Sequence, residues 1–324
     1  MRKNTLRILT TLMILVAAQG ARAQQNRVDK SPHRGGFVTT NGVKLHYLDW
    51  GGKGKVLLFL AGLGNSAHIF DDIAPKFTDR FRVLALTRRG HGQSDKPAAG
   101  YDLPTLTEDI RQALDQLRVK RATLVGHSFG GDEMTRFAGA YPERVDKLIY
   151  LDAAYDRAEI ASEAFSKNPF PSPQPTRDER ASLAGYRAWW ERNRGFWSDA
   201  VETDLRETSV ADDGTIKATL SREVGQAIFK NAAEYHPDYT KVKAPALSLY
   251  AISGVPLWVP SDEESRRKAQ QFLDDVNAPY QRKNIERFRR EVRKGRVVEL
   301  RDSHHYLFIK NQDEVVREMR KFLL

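Results

Sequence analysis

The stretch that most constrains this chain is Gly-His-Ser-Phe-Gly-Gly at residues 126–131. It follows a short apolar run at 122–125, which predicts a buried strand, and precedes a segment that predicts a helix over 132–141. A strand that turns sharply into a helix needs very small residues on either side of the turn. We therefore expect Ser128 to stand above the edge of a sheet. The amide of Phe129 would then lie at the helix N-terminus, where unpaired N–H groups favour an anion.

The first 23 residues have the features of a signal peptide. Three basic residues precede a mostly apolar run at 9–18, and Ala-Arg-Ala at 21–23 has the small-residue pattern of a cleavage site. The apolar run is too short to span a bilayer comfortably. We expect cleavage after Ala23 and a periplasmic or secreted protein with no stable membrane insertion afterwards.

Composition excludes several classes of function. The chain has no cysteine, which removes thiol catalysis, thiolate metal ligands and disulfides. Its formal net charge is +10, but basic residues are interleaved with acids, as at 287–296. No stripe of basic and aromatic residues typical of a nucleic-acid reader is present in the sequence. We therefore expect no nucleic-acid partner.

The pattern of apolar residues predicts an α/β fold. Asn41-Gly42 lies between two alternating segments and indicates a β-hairpin. Continuous apolar runs without alternation then suit strands that are buried on both faces of a parallel sheet. These runs are at 56–60, 83–86, 122–125, 148–151, 246–251 and 297–300. With helical stretches such as 106–117 between most of them, we expect an eight-stranded, mostly parallel sheet with flanking helices.

The interval between the sixth and seventh strands breaks this alternation. It contains a proline-rich loop and then helical segments that carry Trp189, Trp190 and Trp197. These tryptophans are candidate substrate-binding residues, although aromatic residues at helical spacing also pack cores. The predicted units are a signal peptide (1–23), a flexible lead-in (24–36), a core (37–152 and 244–324) and an inserted helical cap (153–243).

From about residue 37 to its end, the chain resembles the α/β-hydrolase fold superfamily. Besides the Ser128 turn, four segments carry the resemblance. They are 60–65 (Leu-Ala-Gly-Leu-Gly-Asn), similar to the oxyanion loop; 82–94, similar to the fourth strand and its glycine-rich loop; 141–145 (Tyr-Pro-Glu-Arg-Val), similar to the end of the helix after the serine; and 303–306 (Ser-His-His-Tyr), where the family keeps its catalytic histidine. Ala61 and Thr87 depart from the pattern, since the family often has histidine and aspartate at these places.

The resemblance implies that Ser128 is a nucleophile activated by a histidine. A serine hydroxyl needs a base to take its proton, and the base needs a third group that holds its tautomer. The family's catalytic histidine is commonly followed by an aromatic residue and then, two places further on, by an apolar one. Tyr306 and Phe308 align with these positions, which favours His305 as the base and leaves His304 as the alternative.

The third group is less clearly marked in the sequence. Most relatives carry the acid just after the seventh strand, but residues 249–256 contain no carboxylate. Some families of this fold keep the acid after the sixth strand, which here ends in Asp152. Asp152 is therefore favoured, with Asp156 and Asp262 as alternatives.

The resemblance further implies an oxyanion hole made by the backbone amides of Leu63 and Phe129. The expected function is an exported serine hydrolase that acts on small-molecule, apolar carboxylic esters through an acyl-enzyme, with no metal or organic cofactor. An amidase, a C–C bond hydrolase, a haloperoxidase-like enzyme, an acyltransferase or a non-catalytic ligand-binding protein would suit the same pattern. Asp132 and Glu133 follow the serine closely, and unless they are screened they would oppose a nearby oxyanion.

Overall fold

The computed structural model describes residues 29–161, 163–217 and 220–324. The predicted signal peptide and its cleavage site lie outside these residues. Within the described part of the chain, no helix combines the length and the apolar character needed to cross a bilayer.

The described residues contain one sheet of eight strands, as the sequence predicts. These are β1 (Arg34–Thr40), β2 (Val43–Gly51), β3 (Val56–Leu60), β4 (Arg82–Leu86), β5 (Ala122–His127), β6 (Val145–Leu151), β7 (Ala246–Ile252) and β8 (Gly295–Arg301). Their order in the sheet is β1-β2-β4-β3-β5-β6-β7-β8. Strand β2 is antiparallel to both of its neighbours, and all the remaining pairs are parallel. The predicted hairpin turns at Asn41 and Gly42, both of which have positive φ.

The first strand begins earlier than the sequence pattern predicts. It starts at Arg34 rather than at Phe37, because Gly35 and Gly36 continue the ladder with β2. Residues 34–36, which the sequence assigns to a flexible lead-in, are therefore part of the sheet. His33, immediately before the strand, is packed against the core rather than solvated, with 10% of its side chain exposed.

Helices flank the sheet and also fill the long interval between β6 and β7. They are α1 (Leu103–Gln116), α2 (Gly130–Ala140), α3 (Glu163–Ser166), α4 (Leu183–Arg194), α5 (Asp199–Thr208), α6 (Arg222–Glu234), α7 (Glu263–Phe272), α8 (Ala278–Glu291), α9 (Leu307–Lys310) and α10 (Gln312–Leu323). Short 3₁₀ segments lie at Ala67–Phe70, Ala74–Phe77, Pro142–Arg144, Arg157–Ala161, Glu179–Ala181 and Tyr239–Lys241, and a π-helical segment joins α7 to α8 at Leu273–Asn277. Helices α3 to α6 belong to the segment between β6 and β7, residues 152–245, which we call the insertion.

The central strands are buried on both faces, which explains their continuous apolar sequences. In β3, Leu58 and Leu60 belong to one apolar cluster, whereas Leu57 and Phe59 belong to another. Successive side chains of a strand point to opposite faces, so the two clusters lie on the two sides of the sheet. Because β3, β5, β6, β7 and β8 run parallel, the residues that follow them meet at one edge of the sheet. The candidate site lies at this edge.

Candidate functional site

Ser128 lies in a tight turn between β5 and α2. Its φ is 51°, in the left-handed region that a residue with a side chain seldom adopts. The turn leaves no room for larger neighbours: a Cβ at Gly126 would lie 2.7 Å from the Gly130 carbonyl oxygen, and one at Gly130 would lie 2.3 Å from that of Leu60. The Ser128 amide donates a hydrogen bond to the Leu151 carbonyl at 3.4 Å. The backbone at the serine is thus held between β3 and β6.

Asp152 and His305 form a hydrogen-bonded pair at the ends of β6 and β8. His305 Nδ1 lies 2.7 Å from Asp152 Oδ2. The other carboxylate oxygen accepts hydrogen bonds from the Tyr155 hydroxyl at 2.7 Å and from the Ala251 amide at 3.0 Å. Asp152 is buried, whereas 41% of the His305 side chain is exposed. With Nδ1–H donating to the carboxylate, Nε2 keeps its lone pair for another partner.

His127 joins the Ser128 turn to the histidine loop. Its ring lies 4.6 Å from the His305 ring, between centroids, and its Nε2 lies 3.0 Å from the His305 carbonyl oxygen. Ser128 and His305 are both among the described residues, and no hydrogen bond joins their side chains. Ser128 lines a cavity of about 570 Å³, whereas His305 lines a second cavity of about 540 Å³. The structure therefore pairs His305 with Asp152, and the Ser128 and His305 side chains line different cavities.

His304 occupies a different environment from its neighbour. Its Nδ1 accepts a hydrogen bond from the Tyr306 amide at 3.1 Å, and its ring stacks on Tyr306 and meets the edge of Phe196. Burial, assisted by the nearby Arg194 charge, lowers the pKa of His304 to about 3. His304 is therefore a neutral packing residue in this structure.

The two alternative acids are engaged elsewhere. Asp156 is buried, and its carboxylate lies 2.9 Å from His236 and accepts from Arg287 at 3.1 Å. Asp262 is exposed and caps helix α7, where it accepts a hydrogen bond from the Ser265 amide at 2.8 Å. Within the described residues, neither carboxylate contacts a histidine of the loop that follows β8.

The amides of Leu63 and Phe129 are near the serine, as the family resemblance implies. Both residues line the Ser128 cavity. The loop after β3 approaches the serine closely, since a Cβ on Gly62 would lie 3.1 Å from Ser128 Cβ. Within the described part of the chain, neither amide donates to a protein acceptor. Leu63 and Phe129 thus line the same cavity as Ser128, and their amides have no acceptor among the described residues.

Two arginines screen the acidic residues that follow the serine. Arg88 forms a bidentate ion pair with Glu133, with both contacts at 2.6 Å, and also donates to the Ala61 carbonyl in the loop after β3. Arg157 donates to Asp132 at 2.7 Å. Burial raises the pKa of Asp132 to about 6, although the Arg157 charge acts in the opposite direction. The repulsion expected from the sequence is thus offset by partners that lie on other elements.

The Ser128 cavity is covered by helix α6 rather than by the tryptophan-bearing helix. Its lining residues are Leu63, Ser128, Phe129, Arg157, Ile228, Phe229, Ala232 and Ala233. The four residues from α6 were not singled out from the sequence. Val224, Ile228 and Ala232 are spaced four residues apart and are buried on one face of α6. This spacing predicts that the face is buried, but it does not predict which part of the chain the face packs against.

The candidate substrate-binding residues Trp189, Trp190 and Trp197 are not among these lining residues. Trp189 and Trp190 are buried on α4, and Trp197 packs edge-on against Trp190. The Trp190 ring also lies 5.8 Å from the Tyr306 ring, in the histidine loop. These large apolar surfaces are buried against one another and the core, so their observed role is packing behind the loop that carries His305.

Comparison with known proteins agrees with this architecture. A family model for the α/β hydrolase fold matches residues 55–228. A non-heme chloroperoxidase from Streptomyces lividans is 37% identical over 158 residues, which are 48% of this chain and 56% of that protein. A 2-(acetamidomethylene)succinate hydrolase from Mesorhizobium japonicum is 35% identical over 101 residues, 31% of this chain and 36% of the relative. The matches span less than two thirds of the length of these curated relatives.

Similarity to solved structures extends over most of the chain. The crystal structure of an E-2-(acetamidomethylene)succinate hydrolase has a TM-score of 0.66 at 20% identity, covering 90% of this chain and 99% of that one. At this identity the likeness concerns the fold alone. With the eight-stranded sheet, the Ser128 turn and the family match together, the chain belongs to the α/β-hydrolase fold family.

Proposed function

We propose that this chain is a serine hydrolase that cleaves small or medium, largely apolar carboxylic esters through an acyl-enzyme. The observation that carries the proposal is the 2.7 Å contact between His305 Nδ1 and Asp152 beside the Ser128 turn. A histidine fixed in this way presents Nε2 as a base, which is what a serine hydroxyl needs in order to attack a carbonyl.

In the proposed reaction, the Ser128 oxygen attacks the ester carbonyl carbon while its proton moves to His305 Nε2. The amides of Leu63 and Phe129 donate to the oxygen that becomes negative in the tetrahedral intermediate. The intermediate collapses as His305 returns the proton to the leaving alcohol, and an acyl group remains on Ser128. His305 then takes a proton from water, and the hydroxide attacks the acyl carbonyl. Collapse of this second intermediate frees the acid as Ser128 takes back its proton.

This reaction requires the Ser128 hydroxyl and His305 Nε2 to come within hydrogen-bond distance when substrate is bound. Such contacts are often long in the free state of a hydrolase and tighten in the substrate complex. The 4.6 Å ring contact between His127 and His305 keeps the two loops adjacent. We therefore expect side-chain rotation, rather than movement of a strand, to close the contact.

The Ser128 cavity supports an apolar and uncharged substrate. Its volume of about 570 Å³ lies within the range of small-molecule sites. Apart from Ser128 and Arg157, its lining side chains are apolar. The Arg157 charge is paired with Asp132, so the wall carries no uncompensated charge from this pair. A neutral acyl or aryl group is better suited to this surface than a charged one.

An activated ester panel tests the proposal. Wild-type protein should hydrolyse p-nitrophenyl esters from acetate to octanoate, with a preference set by the cavity, and Ser128→Ala should lose at least about 10³-fold in kcat/KM. Ser182→Ala is the matched control, because Ser182 caps helix α4 and is exposed. Absence of turnover with every ester, or equal activity of wild type and Ser128→Ala, would contradict the proposal.

We also propose that the protein is exported and cleaved after Ala23. This is supported by the basic start, the short apolar run and the Ala-Arg-Ala pattern. N-terminal sequencing of protein recovered from outside the cytoplasm should begin at Gln24. Recovery of the intact leader on cytoplasmic protein would refute export.

A further inference from the structure

We propose that the chain contains a zinc-type divalent-cation site formed by Asp29, His33, His68 and Asp71, apart from the Ser128 cavity. Each residue offers one ligand atom, and the four atoms lie within 4.8 Å of one another. None of these four residues lines the Ser128 cavity. Two of them precede β1, and the other two lie in and just after the 3₁₀ segment Ala67–Phe70.

The distances between the ligand atoms suit a single small cation. His33 Nε2 lies 2.8 Å from Asp29 Oδ2 and 3.5 Å from Asp71 Oδ1. His68 Nδ1 lies 2.8 Å from Asp71 Oδ2 and 3.8 Å from Asp29 Oδ2. Around a tetrahedral zinc ion with bonds of about 2.0 Å, adjacent donors are about 3.3 Å apart. Two of the observed separations, both 2.8 Å, are shorter than that value, and the other two, 3.5 and 3.8 Å, are longer.

Several polar atoms of this cluster are buried without a hydrogen-bond partner in the described structure. They are both ring nitrogens of His33 and Oδ1 of Asp71. His33 Nε2 is 2.8 Å from the Asp29 carboxylate, yet the pair does not have hydrogen-bond geometry. Buried polar atoms are normally paired, and each exception requires an explanation. A cation bound between His33 Nε2 and Asp71 Oδ1, which lie 3.5 Å apart, would give both of these atoms a partner.

The environment of His68 has the form of a metal-ligand histidine. Its Nε2 lies 3.0 Å from Glu207 of helix α5 and can donate its proton to that carboxylate. Metal-bound histidines usually donate their second ring N–H to a carboxylate or a carbonyl, which fixes the tautomer. Nδ1 then keeps a lone pair for the ion. In this structure Nδ1 contacts Asp71 at 2.8 Å, and a cation between them would replace that contact.

Within the described residues, the carboxylates around this cluster form their ion pairs with histidines. Asp29, Asp71 and Glu207 converge on it, and in the described part of the chain none of the three forms an ion pair with a lysine or an arginine. A neighbouring cavity of about 220 Å³ is lined by Asp29 and Asp71 and offers a route for an ion. Lys30 lines that cavity as well, but it is exposed and pairs with Asp199.

The donor set favours zinc over the hard cations. Two imidazole nitrogens and two carboxylates match the ligands and coordination number of Zn²⁺, whereas Ca²⁺ and Mg²⁺ prefer oxygen ligands alone. A bound ion would join the segment before β1 to the core at His68 and, through Glu207, to the insertion. We therefore assign the site a structural role, because its ligands connect three separate parts of the chain.

Metal content and binding of the untagged full chain test this inference. Purified protein should contain one equivalent of zinc by inductively coupled plasma mass spectrometry. After removal with EDTA, calorimetric titration with Zn²⁺ should restore one equivalent and raise Tm, and Ca²⁺ should bind far more weakly. Binding of fewer than one equivalent at saturating Zn²⁺, or equal affinity for Ca²⁺, would overturn the inference.

Variants locate the ion. Asp29→Asn and His33→Gln change residues that precede the first strand and should each lower zinc affinity at least about 100-fold. His236→Gln is the matched control, because that histidine is exposed and pairs with Asp156 outside the cluster. Circular dichroism of the metal-free variants should match wild type. Unchanged zinc affinity in His33→Gln, or an equal loss in His236→Gln, would place the ion elsewhere and refute the site.

Discussion

Replacing Asp152 with asparagine should reverse the proton arrangement of His305. In the wild type, Asp152 Oδ1 accepts hydrogen bonds from Tyr155 and Ala251, at 2.7 and 3.0 Å. An asparagine must place its carbonyl oxygen there, because its NH₂ group cannot accept a hydrogen bond. The amide nitrogen then faces His305 Nδ1, which can accept from it only if the ring proton is on Nε2. An imidazole with its proton on Nε2 cannot take the proton of Ser128.

The size of the decrease in kcat distinguishes this tautomer effect from the loss of an ordinary hydrogen bond. A base held in the wrong tautomer is expected to lower kcat by about 10³–10⁴-fold, or about 4–5 kcal/mol of transition-state stabilisation. The loss of one hydrogen bond to a charged group would cost about 1.5–3 kcal/mol. The burst rate of p-nitrophenol release from an activated ester, measured by stopped flow, distinguishes the two ranges.

Asp262→Asn is the control for this prediction. Its carboxylate is exposed and caps α7, so its loss should leave the burst rate within about twofold of wild type. A loss below about 200-fold in Asp152→Asn, within the range of a single lost hydrogen bond, would refute the tautomer argument. A larger loss in Asp262→Asn than in Asp152→Asn would refute the choice of acid.

Further predictions concern the serine turn, a buried ion pair and stability in acid. Gly130→Ala puts a methyl group 2.3 Å from a backbone oxygen of β3. It should lower the free energy of unfolding, measured in urea, by at least about 2 kcal/mol. Gly225→Ala, whose methyl group lies in open space on α6, is the control and should not lower it. Arg88→Met leaves Glu133 buried without its partner and should cost about 3–5 kcal/mol in the same assay; a change below 1 kcal/mol would contradict this account. Burial lowers the pKa of His91 to about 3, below its value near 6.5 in the unfolded chain, so the unfolded state binds more protons and stability falls as pH drops below about 6.5. In His91→Gln, the free energy of unfolding should fall less between pH 7 and pH 5 than in wild type, by up to about 1.4 kcal/mol per pH unit. An unchanged pH dependence would refute the claim that His91 is buried in its neutral form.

The strands could be predicted because a strand that is buried on both faces has a continuous apolar sequence. The apolar run of β3, at Val56–Leu60, has no polar position because both of its faces are covered. The turn at Ser128 could also be predicted from the sequence. Backbone atoms lie less than 3 Å from where a Cβ of Gly126 or Gly130 would be, so both positions need glycine. His305 was favoured over His304 from the aromatic residue that follows, and it is His305 that contacts Asp152.

Features that depend on which distant elements meet could not be predicted. The tryptophans of α4 and the face of α6 are both apolar, and the sequence does not state which of them covers Ser128. The sequence does not show whether Asp132 and Glu133 would repel an oxyanion at Ser128. The structure shows that Arg157 and Arg88 pair with them. The histidine and aspartate cluster likewise combines a segment before β1 with the loop after β3, so no short motif marks it.

The central claim is that Ser128 is the nucleophile and that His305 is its base. Labelling with a fluorophosphonate, followed by peptide mass mapping, tests it most directly. Wild type should carry one adduct, on Ser128; Ser128→Ala should carry none, and His305→Gln should react at least about 10³-fold more slowly. An adduct on another residue, or undiminished labelling of His305→Gln, would contradict the account.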